Sequence, residues 1–108
     1  MKVVVSLSDP WDMGEALGRD TILASVIHRA ANAWLLEVIE PFIYEDVEYR
    51  FIVVSPRHAG KSLAGSVSQD VPCNMIRTTP ERAMAADPCD VSWWRGGGAM
   101  IGAIRAAE

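Results

Sequence analysis

The stretch FIYEDVEYRFIVV, residues 42–54, decides the fold. Apolar and polar residues alternate on either side of Glu45-Asp46, so the segment reads as a β-hairpin with that pair as its turn. Tyr44 then faces Val47, and Phe42 faces Tyr49. A period of two puts Phe42, Tyr44, Val47, Tyr49, Phe51 and Val53 on one face. Glu45-Asp46 lacks the glycine of the most favourable two-residue turns, which points to a longer loop. Pro41 suits the entry of a strand rather than its centre.

Upstream, residues 21–39 admit two readings. As a helix, Leu23, Ile27, Ala30 and Trp34 form an apolar side, but Leu35, Leu36 and Ile39 land on the polar one. As two strands, Ile22 to His28 and Trp34 to Ile39 flank an Ala-Ala-Asn turn, and their β-branched content favours this reading. Lys2 to Leu7 is a strand by the same criterion. Asp9-Pro10 opens a two-turn helix that Gly18 can close, anchored by Trp11 and Leu17.

Downstream, Leu63 to Val67 fits a short helix. Val71 to Thr78 fits a strand with Val71, Cys73 and Met75 on one side. Thr79 and Pro80 supply the cap and first position of another short helix, which Asp87-Pro88 ends. Triple glycine at 96–98 makes a bend or close approach, and Ala99 to Arg105 closes the sheet. The expected fold is therefore mainly β (α+β). It is a single curled or barrel-like sheet of five to six largely antiparallel strands, with two or three short helices, in one domain spanning 1–108.

With 108 residues, half of them hydrophobic, the chain can bury a core without disulfide or metal. Cys73 and Cys89 have no metal-ligand spacing, and neither a metal nor a cofactor is expected. The start MKVVVSLSDPWD is too short in apolar residues for a signal peptide, and no run is long enough to span a bilayer. A cytoplasmic protein without membrane contact is expected.

The net charge of −4 is uneven: residues 1–54 carry four Lys or Arg against nine Asp or Glu, and residues 55–108 six against five. An acidic domain lacks the clustered cations that bind a nucleic acid backbone, so nucleic acid is a poor partner, a local basic patch near 57–61 aside.

Three surfaces remain as candidates. The loop Ser55-Pro56-Arg57-His58-Ala59-Gly60-Lys61-Ser62 matches the phosphate-binding pattern G-x-x-x-x-G-K-[ST] at seven positions, with serine for the first glycine. In that chemistry Lys61 supplies charge, and Ser62 holds magnesium at a helix start. Three features argue against it: a hairpin strand leads in, only 46 residues follow Ser62, and no later strand ends in an aspartate. The alternative is a polar connection with Gly60 at positive φ. Without a nucleotide, Arg57, His58, Gly60, Lys61 and Ser62 remain a small-ligand or phosphate site. His58 would be its acid or base, although no partnered nucleophile is visible and catalysis stays open.

The second surface is Trp93-Trp94-Arg95. Adjacent tryptophans on a strand point to opposite faces, leaving one for a partner, with Arg95 beside it. The third is the acidic hairpin of Glu37, Glu40, Glu45, Asp46 and Glu48, which offers a negative face to a basic partner. The leading expectation is a small cytoplasmic protein-binding or regulatory module. The alternative is a small-ligand or phosphate binder using 55–62.

Overall fold

The computed structural model describes residues 1–8, 18, 20–58, 60–94 and 100–107. Six strands follow in chain order: β1 (Lys2–Ser8), β2 (Thr21–Arg29), β3 (Trp34–Tyr44), β4 (Val47–Pro56), β5 (Val71–Thr78) and β6 (Met100–Ala106). Each pairs antiparallel with its successor, and β6 pairs antiparallel with β1, so the sheet is a closed barrel. The molecule is mainly β, as its alternating runs predict. Among the described residues, helix is confined to a 3₁₀ turn at Leu63–Val67 and the single-turn helix α1 at Pro80–Ala83. Residues 9–17 of the expected Asp9–Gly18 helix and the triple glycine fall outside the described residues.

Residues 21–39 resolve as two strands. Arg29 pairs with Trp34 across a turn closed by the Ala30 N–H on the Ala33 carbonyl at 2.8 Å. The helical reading fails because β-branched residues fit a pleated, half-buried surface better than a helix. The hairpin register is the expected one, with Tyr44 opposite Val47 and Phe42 opposite Tyr49. The turn is nevertheless the tight two-residue form: Glu45 and Asp46 both take positive φ, 51° and 64°. That is the type I′ geometry whose twist matches the strands, here without glycine.

The expectation of one shared hairpin face is overturned. Four β3 residues lie between Glu37 and Phe42, where β4 has only Arg50 between Phe51 and Tyr49. The excess is odd, so the two sides of the mismatch cannot keep one facing. Phe42, Tyr44 and Tyr49 pack on the barrel interior, with the Phe42 and Tyr49 rings stacked 5.1 Å apart. Phe51 and Val53 turn outward instead, while Ile52 and Val54 fill the interior. Pro41 sits within β3 rather than at its entry, in the stretch that has no β4 partner and so needs no ladder N–H.

The interior is closed by side chains from every strand. Val3, Leu36, Ile52, Met75 and Ile104 are fully buried there, and Leu63 of the 3₁₀ turn is buried with them. Val71, Cys73 and Met75 face inward, as their alternation predicts. A second cluster lies outside the barrel wall, where Leu35, Phe51 and Val53 are covered by Ala83 and Cys89 from the β5–β6 connection.

That connection begins as expected. The Thr79 hydroxyl accepts from the Arg82 N–H at 3.3 Å, and Pro80 takes the first turn. The helix stops at Ala83, ahead of Asp87-Pro88.

Candidate functional site

Antiparallel strands alternate in direction, and that alternation sorts the charges of this sequence. The barrel end that holds the start of β1 and the ends of β2, β4 and β6 gathers Lys2, Arg29, Arg57, Lys61 and Arg105. The opposite end holds the β3–β4 turn and the start of β2, and it gathers Asp20, Glu40, Glu45, Asp46 and Glu48. Among the described residues, charges scattered along the chain thus become a mainly cationic end, which also holds Asp70, and a mainly acidic end, which also holds Arg77.

At the cationic end, the β4 loop turns between His58 and Lys61. The Lys61 N–H donates to the His58 carbonyl at 3.3 Å, and Gly60 takes the expected positive φ of 80°. The Arg57 N–H is tied to the Pro72 carbonyl at 2.9 Å, which fixes the loop to β5. A cleft of about 250 Å³ opens here, lined by Asn32, Ser55, Arg57, His58 and Lys61. Asn32, Arg57, His58 and Lys61 are exposed, Ser55 is half-buried, and Asn32 arrives from the β2–β3 turn. Lys61 also lines a second cleft of about 490 Å³, with Ser62, Gln69 and Asp70.

This arrangement is not the scaffold of a nucleotide-binding loop. β4 is an antiparallel strand between β3 and β5, and only a five-residue 3₁₀ turn follows. Two of the loop's N–H groups, those of Arg57 and Lys61, are occupied within the chain, and so are those that open the 3₁₀ turn. Ala64 N–H donates to the Ser62 hydroxyl at 3.2 Å and Gly65 N–H to the Ser62 carbonyl at 3.0 Å. Ser62 is a cap, whereas Arg57, His58 and Lys61 keep their side chains together at the cleft.

The tryptophan pair sits in a turn after Val91, not on a strand, so the expected alternation of faces does not apply. Trp93 is engaged within the molecule. Its indole N–H donates to the Asp90 carbonyl at 2.9 Å, and the Arg82 guanidinium lies 4.3 Å from its ring centroid. The Asp90 carboxylate accepts from the Ser92 N–H at 2.9 Å, and that bond holds it below the usual carboxylate range. Trp94 is half-buried, with its N–H on the Val91 carbonyl at 2.9 Å. Arg95 lies outside the described residues.

At the acidic end, Glu45 and Asp46 form the exposed tip. Ile43, opposite Glu48, is 68% exposed beside them. Arg77 braces the hairpin by donating from Nε to the Glu48 carbonyl at 2.6 Å.

Sequence reasoning missed Asn32 and Arg82. Asn32 had been read only as a turn residue, and nothing local ties it to a loop 25 positions away. Arg82 meets Trp93 only because the connection folds back on itself.

Among the described residues, no group of three or more His, Cys, Asp or Glu is placed to hold a metal ion. No helix there is long and apolar enough to cross a membrane. The chain is a small up-and-down barrel with polar ends. Comparison with protein-family models, with curated proteins and with solved structures finds no match to it.

Proposed function

We propose that this protein is a small cytoplasmic module that binds a basic protein surface through its acidic hairpin end. The observation that carries the reading is the tip itself. Glu45 and Asp46 occupy left-handed conformations of a kind that glycine or asparagine adopts at lower cost. Chain reversal alone would be met at lower cost by Asn-Gly in this turn type. Retention of strained residues is characteristic of functional positions.

The surroundings support the same reading. Glu40 and Glu48 extend the negative field, and Ile43 adds exposed apolar area beside it. Oppositely charged fields of this kind steer association and fix its register. Closure leaves no free edge in the barrel wall, whereas the hairpin beyond it keeps open outer edges among the described residues, since β2 pairs with β3 only as far as Val38 and β5 with β4 only from Phe51. Of the two protein-contact surfaces in the sequence, the hairpin is the better supported, because Trp93 already has partners in Arg82 and Asp90. Two buried, free thiols are in keeping with a reducing compartment.

The test is partner capture with matched baits. The native protein, Glu45→Lys/Asp46→Lys and Trp94→Ala are immobilised after circular dichroism confirms each fold. A protein retained by the native bait and by Trp94→Ala, but lost with the hairpin variant, is the expected result. Loss with Trp94→Ala alone would move the contact to the tryptophan corner and overturn the hairpin assignment.

A further inference from the structure

We propose that the cleft between the β2–β3 turn and the β4 loop binds a phosphate monoester dianion, with Arg57 and Lys61 as its charge partners. This site lies at the cationic end and does not depend on the hairpin reading. Four side chains able to donate hydrogen bonds, Asn32, Arg57, His58 and Lys61, converge on one cleft of about 250 Å³. Asp70, the acidic residue of this wall, lines the neighbouring cleft instead.

The chemistry of the ligand follows from the donors. A phosphate monoester carries about −1.5 to −2 charge near neutral pH, which two cations match better than they would the single charge of a carboxylate ligand. The planar guanidinium of Arg57 presents a fork that fits two oxyanion oxygens, and Lys61 adds a mobile point charge. Asn32 supplies an amide donor from the opposite wall, and His58 a ring N–H.

Recognition here is by the side chains that line the cleft, and the backbone N–H groups of Arg57 and Lys61 are already bonded within the protein. This separates the site from a magnesium-dependent nucleotide loop. The Ser62 hydroxyl caps the 3₁₀ turn, and the cleft draws its positive charge from Arg57 and Lys61.

The experiment is an amide and side-chain NMR titration at constant ionic strength, using inorganic phosphate, then glycerol phosphate, then citrate. Expected are saturable shifts at Asn32, Arg57, His58 and Lys61 with both phosphates, unchanged by magnesium. Arg57→Gln and Lys61→Gln should each weaken binding about tenfold or more, the usual effect of losing a charge-assisted hydrogen bond. Arg105→Gln, a cation at the same end that lines a different cleft, should leave binding intact. All three glutamine substitutions lie at exposed positions, and unchanged spectra elsewhere will confirm the fold. Non-saturable shifts, or equal losses with Arg105→Gln, would reduce the effect to general electrostatics and overturn the site. Tighter binding of citrate than of either phosphate would overturn the phosphate assignment.

Discussion

Cys73 shows how one side chain is governed by its place in the wall. Its thiol points into the filled interior and donates to the Val71 carbonyl at 3.2 Å. Burial pushes its pKa up to about 12 from an ordinary value of 9.0. The folded protein therefore holds this proton at pH values where the unfolded chain has released it, and stability falls as pH rises through that interval. We expect urea midpoints to decline between about pH 9 and 12, and Cys73→Ala to flatten that decline relative to the native protein. Parallel pH curves for the two proteins would contradict the buried thiol.

Residues of this kind were legible, because alternation alone places Val71, Cys73 and Met75 on one side. The positive φ of Gly60 was legible too. The role of Ser62 was not. A seven-of-eight motif match carries no information about which N–H groups are already bonded, and Ser62 is consumed as a cap.

At the scale of elements, the connection between β5 and β6 behaves as a cover strapped to the outside of the barrel. Ala83 and Cys89 sit on Leu35, Phe51 and Val53, and the Arg82–Trp93 stack ties the two halves of the cover together. An exposed cation–π contact contributes about 0.5–1 kcal/mol. Burying Phe51 and Val53 contributes about 1.5–3 kcal/mol each. The stack orders the cover, and the apolar contact holds it down.

Trp93→Ala should therefore loosen the cover without opening the barrel. In maleimide labelling the native protein should protect both thiols, and the variant should expose Cys89 while Cys73 stays protected. Labelling of both cysteines at one rate in the variant would instead mean global unfolding.

The cover was not legible in the sequence. Its existence depends on Phe51 and Val53 facing outward, which follows from the excess of β3 residues around Pro41. An in-register hairpin keeps a strict period of two, and the pattern in residues 42–54 gives no sign of where that period breaks. The pairing itself was legible at both ends of the mismatch, since Tyr44–Val47 and Phe42–Tyr49 need only the turn to be placed.

For the molecule as a whole, closure is the feature on which the rest depends. β6 approaches β1 so closely that a Cβ at Gly102 would overlap the Ser6 carbonyl oxygen and lie 2.7 Å from Met75 Cε. Only glycine satisfies this contact, because backbone cannot move aside as the end of a side chain can. Gly102→Ala should cost about 3 kcal/mol in urea denaturation, at the upper end of what overpacking does. A loss below about 0.5 kcal/mol, typical of harmless substitutions, would show that the seam is looser than described.

Closure also sets the order in which this chain can become a protein. The seam joins Val3 to Ala106, partners separated by nearly the whole sequence. Until the sixth strand has been synthesised, β1 and β5 each present an unpaired edge, and five strands form an open sheet. The pairing that removes both edges is the one with the largest loop to close, so it is disfavoured early in folding. Before its last strand seals the wall, the nascent chain passes through an adhesive stage of the kind that chaperones guard against.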